Sequence, residues 1–276
     1  MSTNRTPRDL LVSVQRSEFD LAAKLDKRQL CAQLASGLLA VFSLWLPNGI
    51  WGNVMAIVLL VLAGVTMWLV MEMRKHRSVG EKARRATLLV DGLGIAISGG
   101  ELRRFATLTK ATEEELHQWE EPAYFSSQEK PGVLRAVNML QESAFWSENL
   151  YLASGRRAAA LVIWTGVIAI ICFLLALSVL GATQASLQVR VFSTVASSLV
   201  WFELLARMLH YSAAAQHAKE VLLRLEKGIA GPNASDEWLL ALVDYNSVVE
   251  TAPMMFPGVY AANRDRLNRL WDQYKG

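Results

Sequence analysis

From Gln29 to Met71 the chain carries no charged side chain, and only the turn Pro47-Asn48-Gly49 interrupts this apolar run. A second uncharged run extends from Ala158 to Val189, and a third apolar stretch follows Arg190. A helix needs about 20 predominantly apolar residues to cross the hydrocarbon of a bilayer. The pattern therefore predicts four spans, at 30–46, 50–71, 158–181 and 191–209. Pro47 cannot continue a helical hydrogen-bond ladder and Asn-Gly favours positive φ, so the first two spans should form a tight hairpin. The short connection around Arg190 predicts the same for the other two. The fold class expected is all-α: a four-helix transmembrane protein of two αα-hairpins with helical cytoplasmic extensions. The segments are 1–28 (N-terminal helix), 29–71 (first hairpin), 72–157 (central helical segment), 158–210 (second hairpin) and 211–276 (C-terminal helices).

Outside the apolar runs the pattern stays helical. Leu10, Leu11, Val14, Leu21 and Leu25 recur near helical spacing and lead into the first span without a breaker. The second span continues through 72–90 and should stop at Asp91-Gly92-Leu93-Gly94. The segment 95–108 reads as a loop or a short strand. Thr112-Glu113-Glu114-Glu115 is a capping-box pattern that opens a short helix toward Trp119. Pro131 suits the first turn of a helix, and no proline follows before Gly181, so helix and third span should form one rod of about 50 residues, or about 75 Å. The fourth span should continue to Lys227-Gly228. Ser235-Asp236 caps a helix to about Glu250, and a last helix covers Gly258 to Tyr274.

Charge orients the spans. Of the 28 Lys and Arg residues, six fall in 1–28, thirteen in 72–157 and eight in 207–276, which leaves Arg190 alone for the two hairpin tips. Basic residues stay on the cytoplasmic side, so both termini and the central segment should be cytoplasmic. The net charge of +3 is too small for bulk nucleic-acid binding. Cys31 and Cys172 both fall in predicted spans, which indicates no disulfide framework. The first 28 residues mix both charge signs and lack the apolar core of a cleavable signal peptide.

Little in the chain points to catalysis. His76, His117, His210 and His217 have no metal-ligand partners at zinc spacings, and no C-x-x-C or H-E-x-x-H occurs. The Gly-rich Asp91–Gly100 stretch is not G-x-G-x-x-G and follows a helix rather than a strand. No enzyme, cofactor or metal is expected.

Polar residues within the spans carry more. Gln33 and Ser36 fall on one stripe of the first span, and Ser193, Thr194 and Ser197 on one stripe of the fourth. Such stripes serve either helix packing or, across several subunits, an aqueous pore. Glu203 and Arg207 lie on another face, four residues apart, and are expected to pair within the membrane. In the cytoplasmic segments, Arg84, Arg85, Arg103, Arg104, Trp119 and Arg264 are candidate ligand residues, because guanidinium binds phosphate bidentately and aromatics stack on bases. Membrane-proximal arginine equally serves topology or anionic lipid.

Short motifs spread along the chain add a resemblance. They are Gln15-Arg16, Ala23-Lys24, Asp91, Trp119, Tyr124, Gln141-Glu142-Ser143-Ala144-Phe145-Trp146, Asp244-Tyr245, Pro253, Pro257, Tyr260 and Asn263-Arg264-Asp265 with Leu267-Asn268. The chain resembles the small four-span bacterial effectors related to SLATT membrane proteins. That resemblance implies a homo-oligomer, for instance a tetramer, in the bacterial inner membrane, forming a pore in anti-phage defence. It also implies control by a cyclic or linear oligonucleotide made by a partner nucleotidyltransferase. The rival expectation is a non-conducting membrane scaffold that recruits a cytoplasmic partner.

Overall fold

The computed structural model describes residues 6–43, 50–118, 124–179, 187–228 and 234–275; within these, the side chains of 169, 172–173, 175–199, 228 and 234–236 are not described. The described residues form eight α-helices: α1 (Pro7–Phe42), α2 (Ile50–Thr87), α3 (Gly99–Leu108), α4 (Glu113–Gln118), α5 (Val133–Val179), α6 (Leu187–Gly228), α7 (Ala234–Thr251) and α8 (Val259–Lys275). The all-α expectation holds. The continuous rods predicted through the first, second, third and fourth apolar runs are α1, α2, α5 and α6. The turn at Pro47-Asn48-Gly49 lies outside the described residues.

Local chemistry sets the boundaries. Thr6 caps α1, its hydroxyl accepting from the Asp9 amide at 3.2 Å, with Pro7 in the first turn. The capping box forms as expected: the Thr112 amide donates to Glu115 at 2.8 Å and the Glu115 amide to the Thr112 hydroxyl at 3.2 Å. After Thr87, α2 widens into a π turn over Leu88–Gly92. Gly94, at φ 72°, then reverses the chain, a conformation that costs other L-residues about 1–2 kcal/mol.

The 95–108 expectation is corrected, since most of this segment is the helix α3. Gly99 and Gly100 look like breakers in sequence, yet they occupy its first turn, where Ser98 supplies the cap by accepting from Glu101 at 3.1 Å. Burial of Phe105 beside Leu102 against Leu11, Val14 and Ala83 holds the helix in place.

Two packed halves result. In one, α1 and α2 pair along their length, with α3 and α4 laid across them. In the other, α5 and α6 pair, with α7 packed through Trp238, Ala241 and Tyr245 and α8 through Val259 and Leu267. The halves meet where Gly92 presses on α5. A Cβ at Gly92 would lie 3.1 Å from the Ala136 Cα, so the approach requires glycine. They meet again along a seam of α1 and α6, where Leu30, Val162 and Leu204 are buried together.

Surface character divides the rods. On α2, Ile50, Trp51, Ile57, Leu60, Val61, Met67 and Trp68 are all exposed; on α5, Ile163, Trp164, Ile170 and Leu174 are. Among the described residues one helical stretch, Ile50–Gly92, is long and apolar enough to cross a membrane, and only 11% of its most apolar window is buried. A core helix of that composition would be covered by protein.

Candidate functional site

Three sets of polar side chains stand out, each joining residues of the two halves. The first fixes α2 against its surroundings. Glu18, 1% exposed, accepts from the His76 ring at 2.7 Å, the Thr109 hydroxyl at 2.7 Å and the Lys110 amide at 3.0 Å. Arg84 is buried, donating to Glu81 and to Asn246 at 2.8 Å each, with its plane 5.1 Å above the Tyr245 ring. Burial works against its charge, and Glu81, foremost among the neighbours, more than offsets this and raises its pKa. Arg85 pairs with Glu250. Arg84 and Arg85 are therefore engaged by partners on α2 and α7.

The remaining predicted ligand residues are not gathered around them. Arg103 and Arg104 are exposed on α3, with the Arg103 Nε turned back to the Gly99 carbonyl at 3.2 Å. Arg264 is exposed on α8. Trp119 lies outside the described residues.

A second set assembles from residues distant in sequence. Arg16 of α1 stacks over Tyr124 at 4.8 Å and lies 6.0 Å from the Tyr260 ring, with its guanidinium 3.4 Å from the Tyr260 hydroxyl. Gln15 donates to the Tyr124 hydroxyl at 2.8 Å, and Trp146 lies 6.0 Å from Tyr260. Burial, opposed by the Arg16 charge, pushes the Tyr124 hydroxyl above its ordinary pKa, so it stays protonated at neutral pH. Tyr260 keeps 37% of its surface exposed. The set lays a guanidinium against two tyrosine rings, of which Tyr260 is partly exposed. Of the three, the sequence offers Tyr124 as an aromatic candidate of the cytoplasmic segments, while Arg16 and Tyr260 stand out only through the motifs of the resemblance.

The third set lies on the α1–α6 seam. Asp26, 1% exposed, takes a fork from Arg207, with contacts of 2.7 and 3.1 Å. Glu203 accepts from Gln29 at 3.1 Å and from Gln33. The expected Glu203–Arg207 pair does not form. Helical spacing brings the two near each other, but Asp26 across the seam presents both oxygens to the planar guanidinium and takes its hydrogen bonds. Gln33 is buried in this seam, not turned to an open stripe, and the Ser36 hydroxyl bonds back to the Ala32 carbonyl at 2.8 Å. Ser193, Thr194 and Ser197 lie on α6, and their side chains are outside the described ones.

A clasp also fastens the turn before α8 to α5 and α6. The Tyr211 hydroxyl donates to the Met254 carbonyl, the Phe256 amide to Ser154 at 3.1 Å and Arg157 to the Pro257 carbonyl at 3.1 Å. The 253–258 turn thus grips α5 and α6 together. No family model matches the chain, and neither a curated protein nor a solved structure matches it.

Proposed function

We propose that this protein is an oligomeric inner-membrane pore controlled by an oligonucleotide signal in anti-phage defence. In this reading four spans cross the bilayer, and both termini and the central segment are cytoplasmic. The observation that carries it is the uncovered apolar surface of α2 and α5, joined without a break to helices whose surfaces are polar. Such a band needs lipid or another subunit to cover it. Four helices are too few to surround a conduit, so several copies are required. The ligand's place is the Arg16–Tyr124–Tyr260 cluster, where exposed Tyr260 can stack on a base beside the Arg16 charge. α1 runs unbroken from Arg16 to Gln33, about 25 Å at 1.5 Å per residue. A displacement at the cluster therefore reaches the seam with α6. Ligand shifts the equilibrium to the extent that it binds one arrangement more tightly.

The test is ion flux from liposomes holding the full-length protein, with and without cyclic and linear oligoadenylates. Flux that responds to one of these and loses the response in Arg16→Ala and Tyr260→Ala is the expected result. Membranes that stay tight under every nucleotide, with the protein correctly inserted, would favour the scaffold reading.

A further inference from the structure

Glu203 stands at the rim of the α1–α6 seam, held there by Gln29 and Gln33. Its side chain is exposed, while its neighbours Trp201, Phe202 and Leu204 are apolar. It lies six residues before Leu209, about 9 Å inside the span by helical rise. A carboxylate turned to hydrocarbon costs a few kcal/mol or more, so its open side must face water or protein.

The surroundings fix both its aim and its charge balance. Gln29 and Gln33 bring one amide donor each to the two carboxylate oxygens, which orients the group without neutralising it. Arg207, one turn further along α6, is committed to Asp26 through two hydrogen bonds and cancels that charge instead. Buried Leu204 packs toward α1 and α5, and Trp201 covers Gly166, so α6 already has its intramolecular neighbours on other sides. What remains at this level is a carboxylate whose direct hydrogen bonds come from neutral amides, within electrostatic reach of Arg207 and presented at the exposed edge of the α1–α6 seam.

Building on the pore reading, we infer that Glu203 lines the aqueous pathway, and that its copies from neighbouring subunits form a carboxylate ring near the cytoplasmic mouth that makes the pore select cations over anions. Rings of acidic side chains confer this preference by attracting cations and repelling anions where the pathway is narrow. The glutamines hold the carboxylate in register. The fork from Arg207 to Asp26 takes up that guanidinium's hydrogen bonds, so the Glu203 carboxylate is held by the glutamines rather than by a direct ion pair. The Glu203 face of α6 then borders the conduit, in place of the face bearing Ser193, Thr194 and Ser197.

The experiment records reversal potentials across planar bilayers holding the full-length protein under a KCl gradient, with cyclic and linear oligoadenylates present and absent. Wild-type protein should reverse toward the potassium equilibrium potential, and Glu203→Gln should move the reversal toward zero. Glu203→Asp, which keeps the charge, should retain the preference and shows whether loss of current in the glutamine variant is a folding defect. Glu203→Cys, with Cys31 and Cys172 replaced by alanine, gives a second route. A negatively charged thiol reagent should restore cation preference, and a positively charged one should carry the reversal past zero toward chloride. Conducting variants with the wild-type reversal potential, indifferent to both reagents, overturn this inference and leave the pore intact. Wild-type protein that passes no current under any condition removes the pore reading itself.

Discussion

At the scale of single residues, the seam between the halves depends on charges that are buried and paired. Asp26 has Arg207 as its partner, and removal of either leaves the other uncompensated away from water. Asp26→Ala should cost about 3–5 kcal/mol, read as a lower thermal midpoint in detergent, whereas Asp26→Leu combined with Arg207→Met should recover most of it. Glu148 offers a pH test outside the spans. Burial, foremost, with a contribution from Glu226, raises its pKa, and Lys219 opposes this. A carboxyl with a raised folded pKa favours the folded state while protonated, and that contribution is lost as pH rises through the folded value. Glu148→Gln should therefore raise the melting temperature slightly at neutral pH and reduce its fall between mildly acidic and neutral conditions, as followed by circular dichroism. The seam also shows where sequence reading stops. Glu203 and Arg207 are four apart and of opposite sign, so their own helix offers a pair; the partner actually used by Arg207 is 181 positions away, and no local spacing encodes it. Arg84 is misleading for a related reason. A basic residue beside a membrane run reads as exposed, and only tertiary contact reveals Glu81, Asn246 and Tyr245 around it.

Among the elements, long rods were easy to read. Apolar runs without proline leave the backbone no alternative to internal hydrogen bonding, and α1, α2, α5 and α6 follow. The capping box of α4 was legible for the same local reason. α3 was not, because its two glycines outweigh its weak apolar pattern until Phe105 finds a pocket between α1 and α2. α8 is short and polar, and one aromatic group anchors it. Trp271 stands 5.2 Å from Phe145 and 5.3 Å from Tyr274, and its indole N–H donates to Ser126 at 2.9 Å. Trp271→Ala should cost about 3–5 kcal/mol of local stability, enough to release α8. Limited proteolysis after 252 should then cut the variant well before the parent chain. Uncut α8 at matched protease would show that Val259 and Leu267 hold it unaided.

For the whole molecule, the proposed topology puts the bilayer around 30–71 and 158–209 and all the polar helices on one side. Single cysteines introduced at Asn48 and Gly276, in chains lacking the native two, should label from opposite sides of the membrane. Equal labelling from outside would remove the topology. The candidate ligand cluster was only half legible at this scale: its motifs were visible, but the meeting of residues 16, 124, 146 and 260 required the fold.

The turn at 253–258 has a mechanical consequence for such a molecule. Its bonds to Ser154, Arg157 and Tyr211 hold α5 and α6 at one level, just before both become apolar. Since α5 and α6 also pack against each other to either side of this level, the turn acts as a pin that fixes how far one rod can slide along the other. Loss of its three bonds would let the rods change register while their packed faces stay together.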